Sequence, residues 1–402
     1  MSFSVIRLQE ADARCLDAAE LLLDALDDLP SPVAFDRLTW EITHARSLAR
    51  SFEPSIPFER MLLRHLEAAW SLLEKVARYR FEWPSVSARD LLETLAGPGA
   101  LDRLESTLAG LDAAEVLGYL ESRHGYRAGR VPVDSPEARP LLERATADLA
   151  QAFREWIAAR EGPMPGMDAE VVLGRADTDH SWYEPARHRV ILGPGEFMVF
   201  RQEGRLLVNP IAVARSLAHE LAGHAVQNAL SRDLPAALRP DDRGRIRFAT
   251  LPAAEGFADY RAALALPFLE ARREDFHLSD RDLEMVRQMN RLAFLHHALP
   301  ACLGALAARA RQEPGFDAIS HLAARVGHPG FGERLARTEL DTVNRLVYNA
   351  ACFFGLDLVQ QTAAELADQG VADAEAVRRL GWGGWALSCY REAVLGEEEQ
   401  AG

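Results

Sequence analysis

Apolar residues recur every three or four positions through the first 160 residues, the spacing of amphipathic helices. Leu16, Ala19, Leu22, Leu23 and Leu26 line one such face, and Met61, Leu62, His65, Leu66, Trp70 and Leu73 line another. Pro30, Pro32, Pro54, Pro57, Pro84 and the run Gly97-Pro98-Gly99 interrupt the pattern. They predict a succession of separate helices. The last helix of this half is expected over residues 137–159, and Glu161-Gly162-Pro163-Met164-Pro165-Gly166 then breaks the chain. Beyond the break the period shortens. Residues 169–173, 188–192 and 198–208 are short β-rich runs separated by Gly193-Pro194-Gly195 and Glu203-Gly204, which predicts a small antiparallel sheet. Asn209-Pro210 is a helix-start signature, with Asn as cap and Pro as the first helical residue. From there the pattern is helical to the end. The expected class is α+β, predominantly α-helical, with a helical N-terminal region over 1–165 and a second domain over 166–402 that holds the sheet and the remaining helices.

Composition narrows the function classes. The 402 residues are 48% hydrophobic and 26% charged, an ordinary globular balance that excludes disorder, collagen and a disulfide scaffold. A net charge of −15 argues against nucleic acid or anionic lipid as a partner. Cys15, Cys302, Cys352 and Cys389 are scattered, with no C-x-x-C pair, and read as buried reduced thiols of a cytoplasmic protein. The first residues lack a cationic segment followed by an apolar core, so no signal peptide is expected. No stretch of 18 apolar residues is present, so no membrane span is expected.

The chemistry concentrates in the helix that starts at Asn209, which contains His219-Glu220-Leu221-Ala222-Gly223-His224. Histidines four apart on an α-helix differ in direction by about 40°, but five apart they diverge by about 140° and cannot share a metal. A local widening of the helix, a π-bulge, would bring them together, and Gly223 makes that distortion cheap. A bland alternative is a surface pair between Glu220 and His224 at i and i+4. Ile211, Ala214, Leu217, Ala218, Leu221, Ala222, Ala225 and Val226 make the helix apolar nearly all round. Polar groups inside such a helix need partners, and a metal supplies one. A third ligand from another element would complete a His₂Glu set with a position open for water. Glu255 and Asp259 lie four apart in Ala253-Ala254-Glu255-Gly256-Phe257-Ala258-Asp259-Tyr260. They therefore share a helical face, Glu255 as a metal ligand and Asp259 as acceptor for the outer N–H of a ligand histidine.

His219-Glu220-x-x-x-His224 followed by Glu255-Gly256-x-Ala258 resembles the tubulin tyrosine carboxypeptidase-like family of zinc peptidases, with Phe257 in place of the family's usual Leu. Glu255-x-x-x-Asp259 also resembles the ligand-plus-orienter motif of gluzincins. The resemblance spans roughly residues 168–270. It implies a zincin-like metallopeptidase domain over 166–402 and one zinc ion on His219, His224 and Glu255. Glu220 is then the general base that activates water, and a peptide or protein is the substrate. Carboxypeptidase action rests on this resemblance alone; endopeptidase or aminopeptidase action on the same site is the alternative. Another metal-dependent hydrolase, or a non-catalytic helical interaction protein retaining the fold, are further readings. Against the last stands Glu220, which a structural metal does not need.

A hydrolytic transition state needs an oxyanion donor. Tyr260, His297 and Tyr348 qualify by residue type, as does His296. Arg261, Arg291, Arg334 and Arg345 qualify by type to hold a substrate carboxylate. The run 188–208 would offer an edge strand to an extended peptide, as the gluzincin resemblance implies. The acidic character of the chain disfavours a strongly acidic peptide unless arginines line the cleft.

Overall fold

A computed structural model describes residues 3–23, 32–81, 86–109, 137–175, 180–194, 199–202, 205–239, 248–313 and 343–396, with a few isolated positions besides. Helices make up most of it around two small β elements, so the class is α+β and predominantly helical. In the first half, α1 (Phe3–Leu23) and α2 (Pro32–Arg50) pack together and against α3 (Pro57–Phe81). The apolar face predicted on α3 is buried, with Met61, Leu62, His65, Leu66, Trp70 and Leu73 all under the core. His65 is a satisfied core histidine. Its Nδ1 accepts from the Ala386 N–H at 3.0 Å and its Nε2 lies 3.2 Å from the Ala237 carbonyl, so one proton on Nε2 serves both contacts. α4 (Ala88–Ala96) starts at a capping box of Ser87 and Asp90, and α5 (Ala100–Ala109) follows it. α6 (Ala138–Glu161) ends at Gly162, whose φ of 74° suits the left-handed region.

The sheet differs from expectation. β1 (Glu170–Leu173), β2 (Trp182–Glu184) and β3 (Arg189–Leu192) form a mixed sheet in the order β1-β3-β2. β2 and β3 are antiparallel, with Tyr183 opposite Val190, whereas β1 and β3 are parallel, with Val171 opposite Val190. The cause is local. A 3₁₀ turn at Pro185–Arg187, closed by His188 at φ 50°, reverses the chain between β2 and β3. β3 is the apolar strand, with Val190, Ile191 and Leu192 buried, and it takes the centre. β1, two reversals away, therefore meets it in parallel. β4 (Val199–Gln202) and β5 (Arg205–Val208) form a separate antiparallel hairpin. The central position of β3 leaves β1 and β2 as the mixed sheet's edges, so among the described strands of the run 188–208 only the separate β4–β5 hairpin has unpaired strand edges.

α7 (Pro210–Ser216), a π-helix (Leu217–Ala225) and α8 (Val226–Leu230) follow one another without a break. Asn209 caps α7 by accepting from the Ile211 N–H at 3.0 Å. The mixed sheet and α9 (Leu251–Ala262) pack on the π-helix. Then come α10 (Ala265–Ala271), α11 (Asp280–Arg291), α12 (Leu295–Gln312), α13 (Val343–Asp368), α14 (Asp373–Leu380) and α15 (Leu387–Leu395). α13 lies against both α9 and α12, while α4 and α5 cover α12, and α3 covers α15. The helices of the first half thus pack directly on those of the second.

Two glycines set the crossing of α9 and α13. A Cβ on Gly256 would stand 2.3 Å from the Gly355 carbonyl carbon, and a Cβ on Gly355 would stand 1.9 Å from the Pro252 carbonyl oxygen. The obstacle is backbone in both cases, so neither helix can yield by moving a side chain. Overpacking of this kind costs about 1–3 kcal/mol or more. Gly355→Ala is expected to lower the unfolding free energy by at least that amount, read as a lower denaturant midpoint at unchanged m-value; an unchanged midpoint would contradict this packing.

Candidate metal centre

The π-helix answers the spacing of its histidines. With hydrogen bonds running from i to i+5, residues five apart return to one face, and the rings of His219 and His224 come within 4.9 Å, centroid to centroid. Three contacts hold this widened segment. Arg261 on α9 donates from Nε to the Ala222 carbonyl at 3.2 Å. A Cβ on Gly223 would sit 2.7 Å from the Ala258 Cα, so the glycine is required for α9 to lie this close. Gly166, at φ 87°, passes so near the end of the segment that a Cβ there would meet the Ala225 carbonyl oxygen at 2.3 Å.

Arg261 is itself fixed from upstream. Its guanidinium bonds both carboxylate oxygens of Glu161 at 2.8 and 2.6 Å, and the two side chains are 2% and 4% exposed. With Nε on Ala222 as well, it is fully engaged in structure and is not presented to a substrate carboxylate. Arg291 is exposed at the end of α11. Arg334 and the side chains of Arg345 and His296 lie outside the described residues.

On the accessible side of α9, Glu255 faces both histidines. Its Oε2 is 3.7 Å from Nε2 of His219 and 3.7 Å from Nε2 of His224. His219, His224 and Glu255 each offer one donor atom, and these lie within 4.8 Å of one another. Tetrahedral donors about 2.0–2.1 Å from zinc stand roughly 3.3–3.4 Å apart, so slight contraction would close this set on an ion. Among the described residues no other group of this kind is found. Glu220 lies beside it, with Oε1 3.9 Å from Nε2 of His219. Its Oε2 is buried and carries no hydrogen bond. An unpaired carboxylate oxygen is costly unless a ligand or water completes it. Donor chemistry and the bare oxygen together fit a metal with a water beside Glu220.

The carboxylates dominate the electrostatics. Burial opposes charging His219, but its hydrogen bond to Asp259 and the charges of Glu220, Asp259 and Glu255 prevail and raise its pKa to about 9. Burial likewise opposes charging His224, and Glu255 overrides it, so that pKa also rises. Glu255 is lowered in turn: burial works against its charge, and the two histidines outweigh burial. A site that draws protons onto imidazoles in this way is one that favours a cation.

Asp259 joins two histidines. Its Oδ1 is 3.1 Å from Nδ1 of His219, and its Oδ2 is 3.2 Å from Nε2 of His297 on α12. Tyr348 on α13 is 39% exposed, with its ring 6.3 Å from that of His297. The charge of Glu255 is the first cause that raises the Tyr348 pKa, followed by Cys352 and burial. The buried Cys352 is electrostatically coupled to His297 and Tyr348, and burial pushes its thiol to about 11. The structure therefore brings His219, Glu220, His224, Glu255, Asp259, His297 and Tyr348 together. Tyr260 points elsewhere. It packs on the core, and the charged groups around it are Arg261, Asp373, Glu161 and Arg160. Asn349 and Cys352, both near His297, carried no sequence signal, because Cys352 sits inside the apolar run Ala350-Ala351-Cys352-Phe353-Phe354 and Asn349 just before it.

The polar–aromatic residues around β2, in the run His180-Ser181-Trp182-Tyr183, divide in two. Tyr183 packs on the core and donates to Nδ1 of His188 at 2.8 Å, while Nε2 of His188 lies 3.1 Å from Asp168. Trp182, on the edge strand β2, is 36% exposed.

No family model matches the chain, and no curated protein matches it. Among solved structures, several are similar to it, three of them over nearly its whole length. A candidate lipoprotein from Colwellia psychrerythraea is 14% identical with a TM-score of 0.47, covering 98% of this chain and 75% of its own. A carboxypeptidase from Pyrococcus furiosus is 12% identical with a TM-score of 0.42, covering 99% of both chains. A candidate lipoprotein of unknown function from Shewanella oneidensis is 13% identical with a TM-score of 0.40, covering 96% of this chain and 73% of its own. These likenesses are too distant to assign an activity. No described helix is long and apolar enough to cross a membrane.

Two outcomes follow from this geometry. His224→Ala removes one of the three candidate donors, and if they hold a divalent metal it should weaken binding, with zinc as the probe, by more than the roughly 10- to 100-fold that loss of an outer partner costs; calorimetric titration reads the change, and unchanged affinity would contradict the donor set. Arg261→Met leaves Glu161 buried and unpaired, which costs about 3–5 kcal/mol. Adding Glu161→Leu should recover much of that loss in a denaturant titration, and strict additivity of the two would contradict the pairing.

Proposed function

We propose that this protein is a zinc-dependent peptidase in which His219, His224 and Glu255 hold the metal and Glu220 is the general base. The observation that carries this reading is the convergence of the three donors beside the bare, buried Oε2 of Glu220. Zinc, when bound, supplies a lowered pKa for water and polarisation of the scissile carbonyl. Glu220 takes a proton from the attacking water as its oxygen joins the carbonyl carbon. It returns that proton to the amine nitrogen as the C–N bond breaks. Asp259 fixes the ring of His219 by accepting from Nδ1, which leaves Nε2 free to serve as a donor. Tyr348, exposed and close to Glu255, is the group best placed to donate its hydroxyl proton to the developing oxyanion. Its raised pKa keeps that proton in place at neutral pH.

The substrate class is an accessible peptide, and β1 and β2, the edge strands of the mixed sheet, are the strands that could pair with an extended backbone. Carboxypeptidase action is the specific form proposed, on the strength of the sequence motif. The four buried thiols suit a reducing compartment, the cytoplasm. A non-catalytic protein on this fold would have no use for a buried carboxylate with an open oxygen beside the donors.

Glu220→Gln is the direct test. It is expected to bind zinc as the wild type does and to lose turnover on a peptide library by about 10²- to 10⁴-fold; near-normal activity would overturn the assignment. C-terminal amidation of a cleaved peptide should abolish its hydrolysis, whereas persistent cleavage would mark an endopeptidase or aminopeptidase.

A further inference from the structure

Asp259 has two carboxylate oxygens and a histidine on each. One of these, His219, is a proposed metal ligand; the other, His297, is not. His297 reaches the site from α12, from which no other residue with a described side chain joins the cluster. Its Nε2 is directed at Oδ2 of Asp259 at 3.2 Å, and its Nδ1 is 3.4 Å from Oδ1 of Asn349 on α13. Cys352, one turn further along α13, is electrostatically coupled to it. The ring is 13% exposed and is held on both edges by polar groups of the protein. A ring engaged in this way is poorly placed to turn towards a substrate carbonyl. It is well placed to decide where the Asp259 carboxylate points.

The consequence lies in the order of contacts. A carboxylate on a helix can rotate about its terminal bond, and with one partner only, it has freedom to leave Nδ1 of His219. A second N–H on Oδ2 removes that freedom. The plane of the carboxylate is then fixed, Oδ1 faces Nδ1 of His219, and Nε2 of His219 faces Nε2 of His224 and Oε2 of Glu255. We propose that His297 is a positioning residue, which orients Asp259 and through it His219, so that α12 and α13 control the metal affinity of a site built on the π-helix and α9. This rests on the metal reading above and assigns His297 a role distinct from oxyanion donor.

Zinc affinity separates the two roles, since an oxyanion donor does not affect it. Dissociation constants would be measured by competition with a chromophoric chelator for the wild type, His297→Leu and His297→Gln. Leu keeps the volume of the ring and removes the donor; the amide nitrogen of Gln can occupy the place of Nε2. The expected result is a roughly 10- to 100-fold weaker affinity for His297→Leu and recovery of most of it in His297→Gln. Melting temperatures of the metal-free proteins report folding, and should His297→Leu be unfolded, His297→Asn, whose shorter amide does not reach Oδ2 of Asp259, takes its place with the same expected loss. Equal zinc affinity in the folded variants, with turnover alone reduced, would overturn the proposal and return His297 to the substrate. Absence of zinc binding by the wild type would instead overturn the metal reading on which it rests.

Discussion

Four residues lie between His219 and His224, and an α-helix points side chains so spaced in divergent directions. The π-helix of 217–225 is what brings them back to one face. A π turn is rare because its hydrogen bonds and packing are poorer than those of an α turn, so something outside it must hold it. Here the surroundings do so at three points: the guanidinium of Arg261 on the Ala222 carbonyl, the close passage of Ala258 at Gly223, and the close passage of Gly166 at Ala225. Remove the widening and the donor set does not exist. Retain it and the same contacts place α9 so that Glu255 and Asp259 reach the histidines.

This explains a division of labour along the chain. Glu161, the last residue of α6, and Gly166, in the segment between α6 and the sheet, both act on the π-helix, one through Arg261 and one by direct contact. α13 acts from the other side, locked to α9 at Gly256 and Gly355, and carries Tyr348, Asn349 and Cys352 to the cluster. A buried ion pair contributes little net stability in itself. The value of the pair between Arg261 and Glu161 is that it fixes the position of a helix with a functional face. The charge balance has a similar logic. Three carboxylates around two histidines hold positive charge in the site, first as protons and, in the proposed function, as a metal.

Much of the donor set could be read from the chain, because polar residues stand out in helices that are otherwise apolar. His219, Glu220, His224, Glu255 and Asp259 were visible for that reason, and the spacing of the histidines required a widened helix. Gly223 was legible only in part: it eases the distortion, but its contact with Ala258 needs two helices to be seen together. Gly256 looked like a letter of a motif and is a point of backbone contact with Gly355. Arg261 looked like a binder of carboxylates and is one, but its carboxylate is Glu161, 100 residues upstream. Pairings of that range leave no local pattern. The parallel register of β1 and β3 was hidden for the same reason, since short β-rich runs reveal that strands exist and not which neighbours they choose. His297 was visible as a polar residue of the right type, and only the position of Asp259 shows what it touches.

The central claim is that the π-helix and α9 together form a metal site with two imidazoles and one carboxylate. X-ray absorption at the zinc edge, on purified protein with its metal content measured in the same sample, tests it most directly. The account predicts one zinc per chain with two imidazole nitrogens and carboxylate or water oxygens at about 2.0–2.1 Å. A protein with no stoichiometric metal, or a spectrum that requires fewer than two imidazoles, would contradict it.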